Sequence, residues 1–239
     1  MRPPSTLAAL GQAREAIVRC QDCARLRDYC ARVATEKKAA HRDDVYWGRP
    51  VPGFGDPEAR LLLVGLAPAA HGANRTGRVF TGDGSGDFLF AALHDTGFAN
   101  IATSRRADDG LTLRDAYVLS AVRCAPPDNK PTPDEIVRCR RHLSAEIAAL
   151  PYLRVVVALG KIGHDAYLAY LAAAHGVRPR PRPVFGHGSE ARPGEGLPVL
   201  LGCYHPSRQN TNTGKLTAPM MRAVFSRARA IIEGPTHAR

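Results

Sequence analysis

Six cysteines are the first residues of this 239-residue chain whose type and spacing suit chemistry. Cys20 and Cys23 form a C-x-x-C at what reads as a helix end, where residues three apart share a face. Cys124 follows an apolar run, and Cys139 stands on the next helical stretch. Two such pairs from distant parts of the chain can close a tetrathiolate site for zinc or for an iron–sulfur cluster, and spacing alone does not choose between them. Cys203 lies within an apolar strand, where a free thiol is a small buried hydrophobe. Cys30 is a less regularly spaced competitor for Cys20 or Cys23, and six unligated thiols are the bland alternative.

Two long polar segments carry the remaining chemistry. The first reads GLAPAAHGANRTGRVFTGD, Gly65 to Asp83. Its glycines let backbone amides approach a flat ligand closely. Phe80 is an aromatic in otherwise polar surroundings, either a platform for a base or a core anchor. The second, YHPSRQNTNTGKLT from Tyr204 to Thr217, places His205 ahead of a run of hydroxyl, amide and cationic donors suited to phosphate oxygens and groove edges. Neither G-x-x-x-x-G-K-[ST], G-x-G-x-x-G nor G-x-S-x-G occurs, so a triphosphate cradle, a dinucleotide cradle and a serine acyl hydrolase find no support.

The elements that must position these segments follow from apolar patterning. Residues Ser5 to Ala34 read as one helix. Short apolar runs at Arg60–Ala69, Ala116–Val122, Arg154–Leu159 and Leu197–Cys203 read as strands buried on both faces. Helical stretches at Gly86–Gly97, Pro133–Leu150, Gly160 to about Ala174, and Lys215–Glu233 alternate with them. This alternation predicts an α/β protein with a parallel sheet covered on both faces, whose ligands bind beyond the carboxyl ends of the strands. The polar segments, together with Arg123–Pro133 and Gly160–Gly163, are those strand ends. The stretch from Gly176 to Pro198, rich in proline, glycine and arginine, reads as an exposed insertion.

Composition sets the bounds. With 44% hydrophobic residues the chain can bury a sizeable core, and its length suits one domain over residues 1–239. No apolar run approaches the roughly 18 residues of a membrane span. Glu15 and the lack of a small-residue cleavage site argue against a secretory signal, so a cytoplasmic protein without a membrane partner is expected. Thirty-three Lys and Arg against 22 Asp and Glu give a formal charge of +11. A polyanion partner and an ordinary basic surface both account for that excess.

The segments GLAPAAHGANRTGRVFTGD and HPSRQNTNTGKLT resemble the paired motifs of the uracil-DNA glycosylase superfamily, and specifically family 5, the B-type enzymes of bacteria and archaea. The C-x-x-C and the Arg123-Cys124-Ala125-Pro126-Pro127…Cys139 segment are similar to that family's third feature, a [4Fe-4S] cluster. The likeness runs from about Cys20 to Thr217. It implies a three-layer α/β/α sandwich around a four-stranded, mostly parallel sheet. It also implies a monomeric, monofunctional repair enzyme acting on double- or single-stranded DNA.

That enzyme would flip uracil out of the stack, hydrolyse the N-glycosidic bond and leave an abasic site. Hypoxanthine and xanthine are further substrates that the resemblance implies. Cys20, Cys23, Cys124 and Cys139 would hold the cluster in a structural role. His205 would donate a hydrogen bond to uracil O2 as negative charge develops, and Phe80 would stack on the base. Gly65, Leu66 and Ala67 would bring backbone to the uracil oxygens, with His71, Ser120 and Asn210 completing the base site. Ala67 stands where many superfamily members carry a water-holding polar residue, a departure shared with family 5, so Asn74 is the nearest residue to orient water. Ser120 lies where many relatives read uracil with an Asn, which suggests a tolerant pocket. Arg75, Arg78, Ser207, Arg208, Gln209, Asn212 and Lys215 are the expected DNA contacts. The missing carboxylate keeps alive a module that senses bases without cleaving them, and a zinc-bearing nucleotide hydrolase is a third reading.

Overall fold

A computed structural model describes residues 6–234. Its centre is four parallel strands, β2 (Leu61–Gly65), β3 (Ala116–Ser120), β4 (Val155–Leu159) and β6 (Val199–Cys203). Every residue of the four is buried, as expected for apolar runs covered on both faces. Two strands of two residues each, β1 (Phe54–Gly55) and β5 (Glu190–Ala191), add antiparallel edges and give the order β1-β3-β2-β4-β6-β5. The sheet is therefore six-stranded and mixed, where four strands were expected. The additional pair is too short to carry an alternating pattern, and β5 falls inside the proline- and arginine-rich insertion.

Helices cover both faces. Helix α4 (Gly84–Asp95) and helix α8 (Ala218–Glu233) enclose the larger core, with Phe90, Phe98 and Phe225 fully buried. Helix α5 (Pro133–Ala148) and helix α6 (Lys161–Ala174) enclose the other, packed through Leu143, Ile147, Tyr167 and Leu171. Local chemistry sets the helix starts. Thr132 and Glu135 form a capping box ahead of α5, Asp83 accepts from the Ser85 and Gly86 amides at α4, and Thr217 caps α8. The close approach of α6 to the sheet depends on Gly163, where a Cβ would lie 2.2 Å from the Val64 carbonyl oxygen.

The N-terminal helix is two helices: α1 (Thr6–Val18) and α2 (Ala24–Glu36). Ser5, the expected start, lies outside the described residues. The chain leaves the helix after Val18 and restarts with Cys23 at the cap, so Cys20 and Cys23 both lie in the break rather than share one helical face. Leu26 and Cys30 of α2 bury against Val122, Cys124, Ala125 and Cys139 in a third, small cluster. The second polar segment also contains a short helix, α7 (Arg208–Asn212), and α3 (Ala73–Thr76) interrupts the first. Among the described residues no helix is long and apolar enough to cross a membrane.

Candidate functional site

At the carboxyl ends of β2 and β6 the two polar segments line one cleft of about 730 Å³, within the range of small-ligand sites. Leu66, Ala67, His71, Phe80 and Asp83 come from the first segment, and His205, Ser207, Arg208 and Gln209 from the second. The Phe80 and His205 rings lie 5.7 Å apart at 34°, so an aromatic face and an imidazole border the same space.

Backbone geometry holds Phe80 there. Its φ of 49° is left-handed, an unusual conformation for an aromatic residue, and a Cβ on Gly65 would lie 2.8 Å from its ring. Glycine at the tip of β2 is therefore what makes room for the ring. His205 lies two residues beyond the end of β6, and its carbonyl accepts a hydrogen bond from Asn210 Nδ2 at 2.8 Å. Ser207 caps α7 by accepting from the Asn210 amide, which fixes the donor of that bond. Asn210 thus acts on the backbone that carries the imidazole. Burial pushes the His205 imidazole down to about 4, so it is neutral at physiological pH and one ring nitrogen carries a proton.

Sequence reasoning missed a third wall. Pro126, Asp128 and Asn129, from the strand-end segment before α5, line the cleft, as do Tyr29, Lys38 and His41 from α2 and the chain after it. Asp128 and Asn129 adopt φ of 52° and 56°, which these two residue types tolerate better than most. The adjacent pair between prolines and Lys130 was the available signal. Asp83, read only as the end of a motif, brings a carboxylate into the cleft. Burial raises its pKa, with the Ser85 and Gly86 amides acting in the opposite direction. Desolvation lowers the His71 pKa, and Tyr46 Oη lies 3.0 Å from His71 Nδ1.

Several expected site residues occupy other surroundings. Asn74 is fully buried outside the cleft lining, and its Nδ2 donates to the Cys30 carbonyl at 3.3 Å, joining α3 to α2. Ser120 is buried at the end of β3 and does not line the cleft. Arg75 bonds Asp44 at 2.7 Å and the carbonyls of His71 and Gly82. Arg78 is 6% exposed, bonds Asp109 at 2.8 Å, Thr81 at 2.9 Å and Ser104 at 3.1 Å, and lies over Phe54. Both guanidiniums are committed to protein partners. Arg208, Gln209, Asn212 and Lys215 are exposed, with Lys215 Nζ 5.0 Å from the Tyr204 ring centre.

The Arg78 pairing predicts an effect on stability. Burial raises the Asp109 pKa, but the Arg78 guanidinium and three backbone amides outweigh it and hold the carboxyl at about 2. Arg78→Ala is expected to destabilise the fold by about 3–5 kcal/mol by urea unfolding at neutral pH. The Asp109 contribution is present above its unfolded pKa near 4 and is lost as pH falls toward about 2.

Away from the cleft, Cys20, Cys23, Cys124 and Cys139 line a single cavity with Val122, Arg123 and His142. Among the described residues no group of three or more His, Cys, Asp or Glu side chains is arranged to hold a metal ion. The cavity's surroundings are nonetheless cationic. Arg141 Nη2 is 3.5 Å from Cys20 Sγ, and Arg27 Nη1 is 3.9 Å from Cys124 Sγ. Arg123 is 1% exposed, and its Nη2 lies 2.6 Å from Glu146 Oε2, yet its three side-chain nitrogens make no well-formed hydrogen bond. Burial pushes the Cys139 thiol up to about 12. Cys30 and Cys124 share a hydrogen bond that lowers the pKa of the first and raises that of the second. The buried thiol of Cys203 stands apart from this cavity.

Comparison with known proteins shows the family. A model of the Uracil DNA glycosylase superfamily matches residues 52–229. The chain is 49% identical over 222 residues to the type-5 uracil-DNA glycosylase of Thermus thermophilus, covering 91% of this chain and 98% of that protein. It is 49% identical over 213 residues to the type-5 uracil-DNA glycosylase of Mycobacterium tuberculosis, covering 89% of this chain and 78% of that one. Likeness to the type-4 enzyme of Archaeoglobus fulgidus is more limited, 31% over 112 residues, 46% of this chain and 48% of that protein. With its paired motifs meeting in one cleft and this coverage, the chain belongs to the type-5 uracil-DNA glycosylase family.

Proposed function

We propose that this protein is a monofunctional uracil-DNA glycosylase of base excision repair, a hydrolase of N-glycosyl bonds. The observation that carries the reading is a neutral imidazole beside an aromatic ring, brought together from the segments that follow β2 and β6 on either side of β4. Uracil extruded from the duplex stacks on Phe80, with the Leu66 and Ala67 amides near its oxygens. As the C1′–N1 bond breaks, the bonding pair stays with the base, leaving a uracil anion and an oxocarbenium-like sugar. The N–H of neutral His205 donates to O2, where negative charge accumulates, and thereby lowers the barrier. Water then adds to C1′, and the proton it gives up passes through solvent to the uracil anion, which leaves as neutral uracil. Asn129 and Asp83 line the cleft and are better placed than the buried Asn74 to hold that water.

The cleft, at about 730 Å³, is larger than one pyrimidine needs, and that room supports hypoxanthine and xanthine as further substrates. Arg208, Gln209 and Ser207 at the cleft, with Asn212 and Lys215 beyond it, are the proposed DNA contacts. Arg208→Ala is expected to weaken binding to all sequences alike and to reduce the slope of log affinity against log salt by about one. Anisotropy titrations at several salt concentrations check this.

Cys20, Cys23, Cys124 and Cys139 are proposed to hold a [4Fe-4S] cluster. The fit rests on their shared cavity and on the cationic groups beside its thiols, Arg27 at Cys124 and Arg141 at Cys20, which suit an anionic guest. The cluster would supply a cross-link between α2 and the strand-end segment rather than redox chemistry.

The deciding experiment is incubation with a labelled duplex carrying one uracil, followed by alkali. Cleavage at the uracil position is expected, with parallel duplexes for hypoxanthine and xanthine. An intact strand under single-turnover conditions removes the enzymatic reading and leaves a base-sensing module.

A further inference from the structure

A groove that shares no lining residue with the cleft runs between α5, α6 and the arginine–proline segment of the insertion. It consists of two cavities of about 310 and 680 Å³ that have Arg140, Asp165, Ala169 and Arg182 in common. Its floor is aliphatic, with Leu143, Ile162 and Ala166 in one half and Leu168, Ala172 and Val177 in the other. Arg140, Arg178, Arg180 and Arg182 form its rim, against Asp165 as the sole acid of the lining.

The charges on this rim are uneven in their pairing. Asp165 already bonds Arg182 at 2.9 Å and also pairs with Lys161. The side chains of Arg140, Arg178 and Arg180 make no hydrogen bond, ion pair or ring contact among the described residues. Three unpaired guanidiniums above an aliphatic floor complement a ligand that presents carboxylates at its edges and aliphatic side chains between them. Pro179 and Pro181 restrict the segment that carries two of these arginines, which lowers the ordering cost of binding. Single-stranded nucleic acid is a poor match for this floor, because bases stack on aromatic rings and none lines the groove.

We propose that this groove docks an acidic, leucine-rich segment of a partner protein, separately from the DNA-binding cleft. The test is fluorescence anisotropy of the full chain with a labelled synthetic peptide alternating aspartate and leucine. Saturable binding is expected, weakened at least about tenfold by Ala169→Trp, which fills the groove, and by the Arg178→Glu, Arg180→Glu double variant, which reverses its rim. Both variants should excise uracil at the wild-type rate. The proposal is overturned if no saturable binding occurs, or if both variants bind as the wild type does. It is equally overturned if a matching aspartate–serine peptide binds as well, or if undamaged duplex DNA displaces the peptide. Loss of excision in the wild type would overturn the glycosylase reading without touching this one.

Discussion

His205→Ala is expected to slow uracil release by about 10²–10³-fold under single-turnover conditions, the usual effect of removing one donor aimed at developing negative charge. Binding to duplex DNA should change little, because the exposed donors of the second segment remain. Asn210→Ala is expected to produce part of the same loss, since its amide restrains the His205 carbonyl and not the base itself. The pH profile separates a neutral donor from an imidazolium. With the imidazole pushed down to about 4 by burial, His205 is uncharged across the whole neutral range. The wild-type rate should therefore pass the ordinary histidine pKa, about 6.5, without an inflection assignable to this residue. A rate that falls as pH rises through that value, and loses this dependence in His205→Ala, would mean that an imidazolium does the work.

The second large effect concerns the thiols. Cys23→Ala is expected to abolish a broad absorbance at about 400 nm and to lower the thermal midpoint by about 10 °C or more, the scale of losing several kcal/mol of metal cross-linking. The structural reason is the small apolar attachment of α2, supplemented by polar ties from Arg25 to Glu135 and from Arg27 to the Gly48 carbonyl. Its buried contacts are Leu26, Cys30 and Val33, and the chain breaks immediately before it. Tyr29 of this helix, with Lys38 and His41 just after it, walls the cleft, so loosening α2 opens the base site. Excision should survive at low temperature and fail on warming before the wild type does. A colourless wild-type protein of equal stability with and without Cys23 would contradict a cluster, and zinc in place of iron would correct its identity.

The parts of the fold that patterning made legible are those with one dominant signal. The runs at Leu61, Ala116, Val155 and Val199 are buried on both faces, so unbroken apolarity alone marked them as strands. Polar segments after β2 and β6 were then forced to the same end of the sheet, which brought Phe80 and His205 together. The remainder depended on long-range contacts. Residues 5–34 read as one helix, yet the helix stops at Val18 and restarts at Ala24, where Cys23, Leu26 and Cys30 pack with Val122 and Cys139. Arg75 and Arg78 stand in a donor-rich motif, yet Asp44 and Asp109, far from them in sequence, claim both. Asn74 had the right chemistry for holding water, but α3 turns it inward toward Cys30. Asp128 and Asn129 reach the cleft through left-handed backbone at both residues, a conformation that no apolar pattern encodes.

A structure of the protein with duplex DNA carrying a non-hydrolysable deoxyuridine analogue tests the account at its centre. The extruded base should lie against Phe80, with a His205 ring nitrogen about 2.7–3.2 Å from uracil O2. A base left stacked in the duplex, or extruded with O2 facing another donor while His205 stays out of reach, would contradict it.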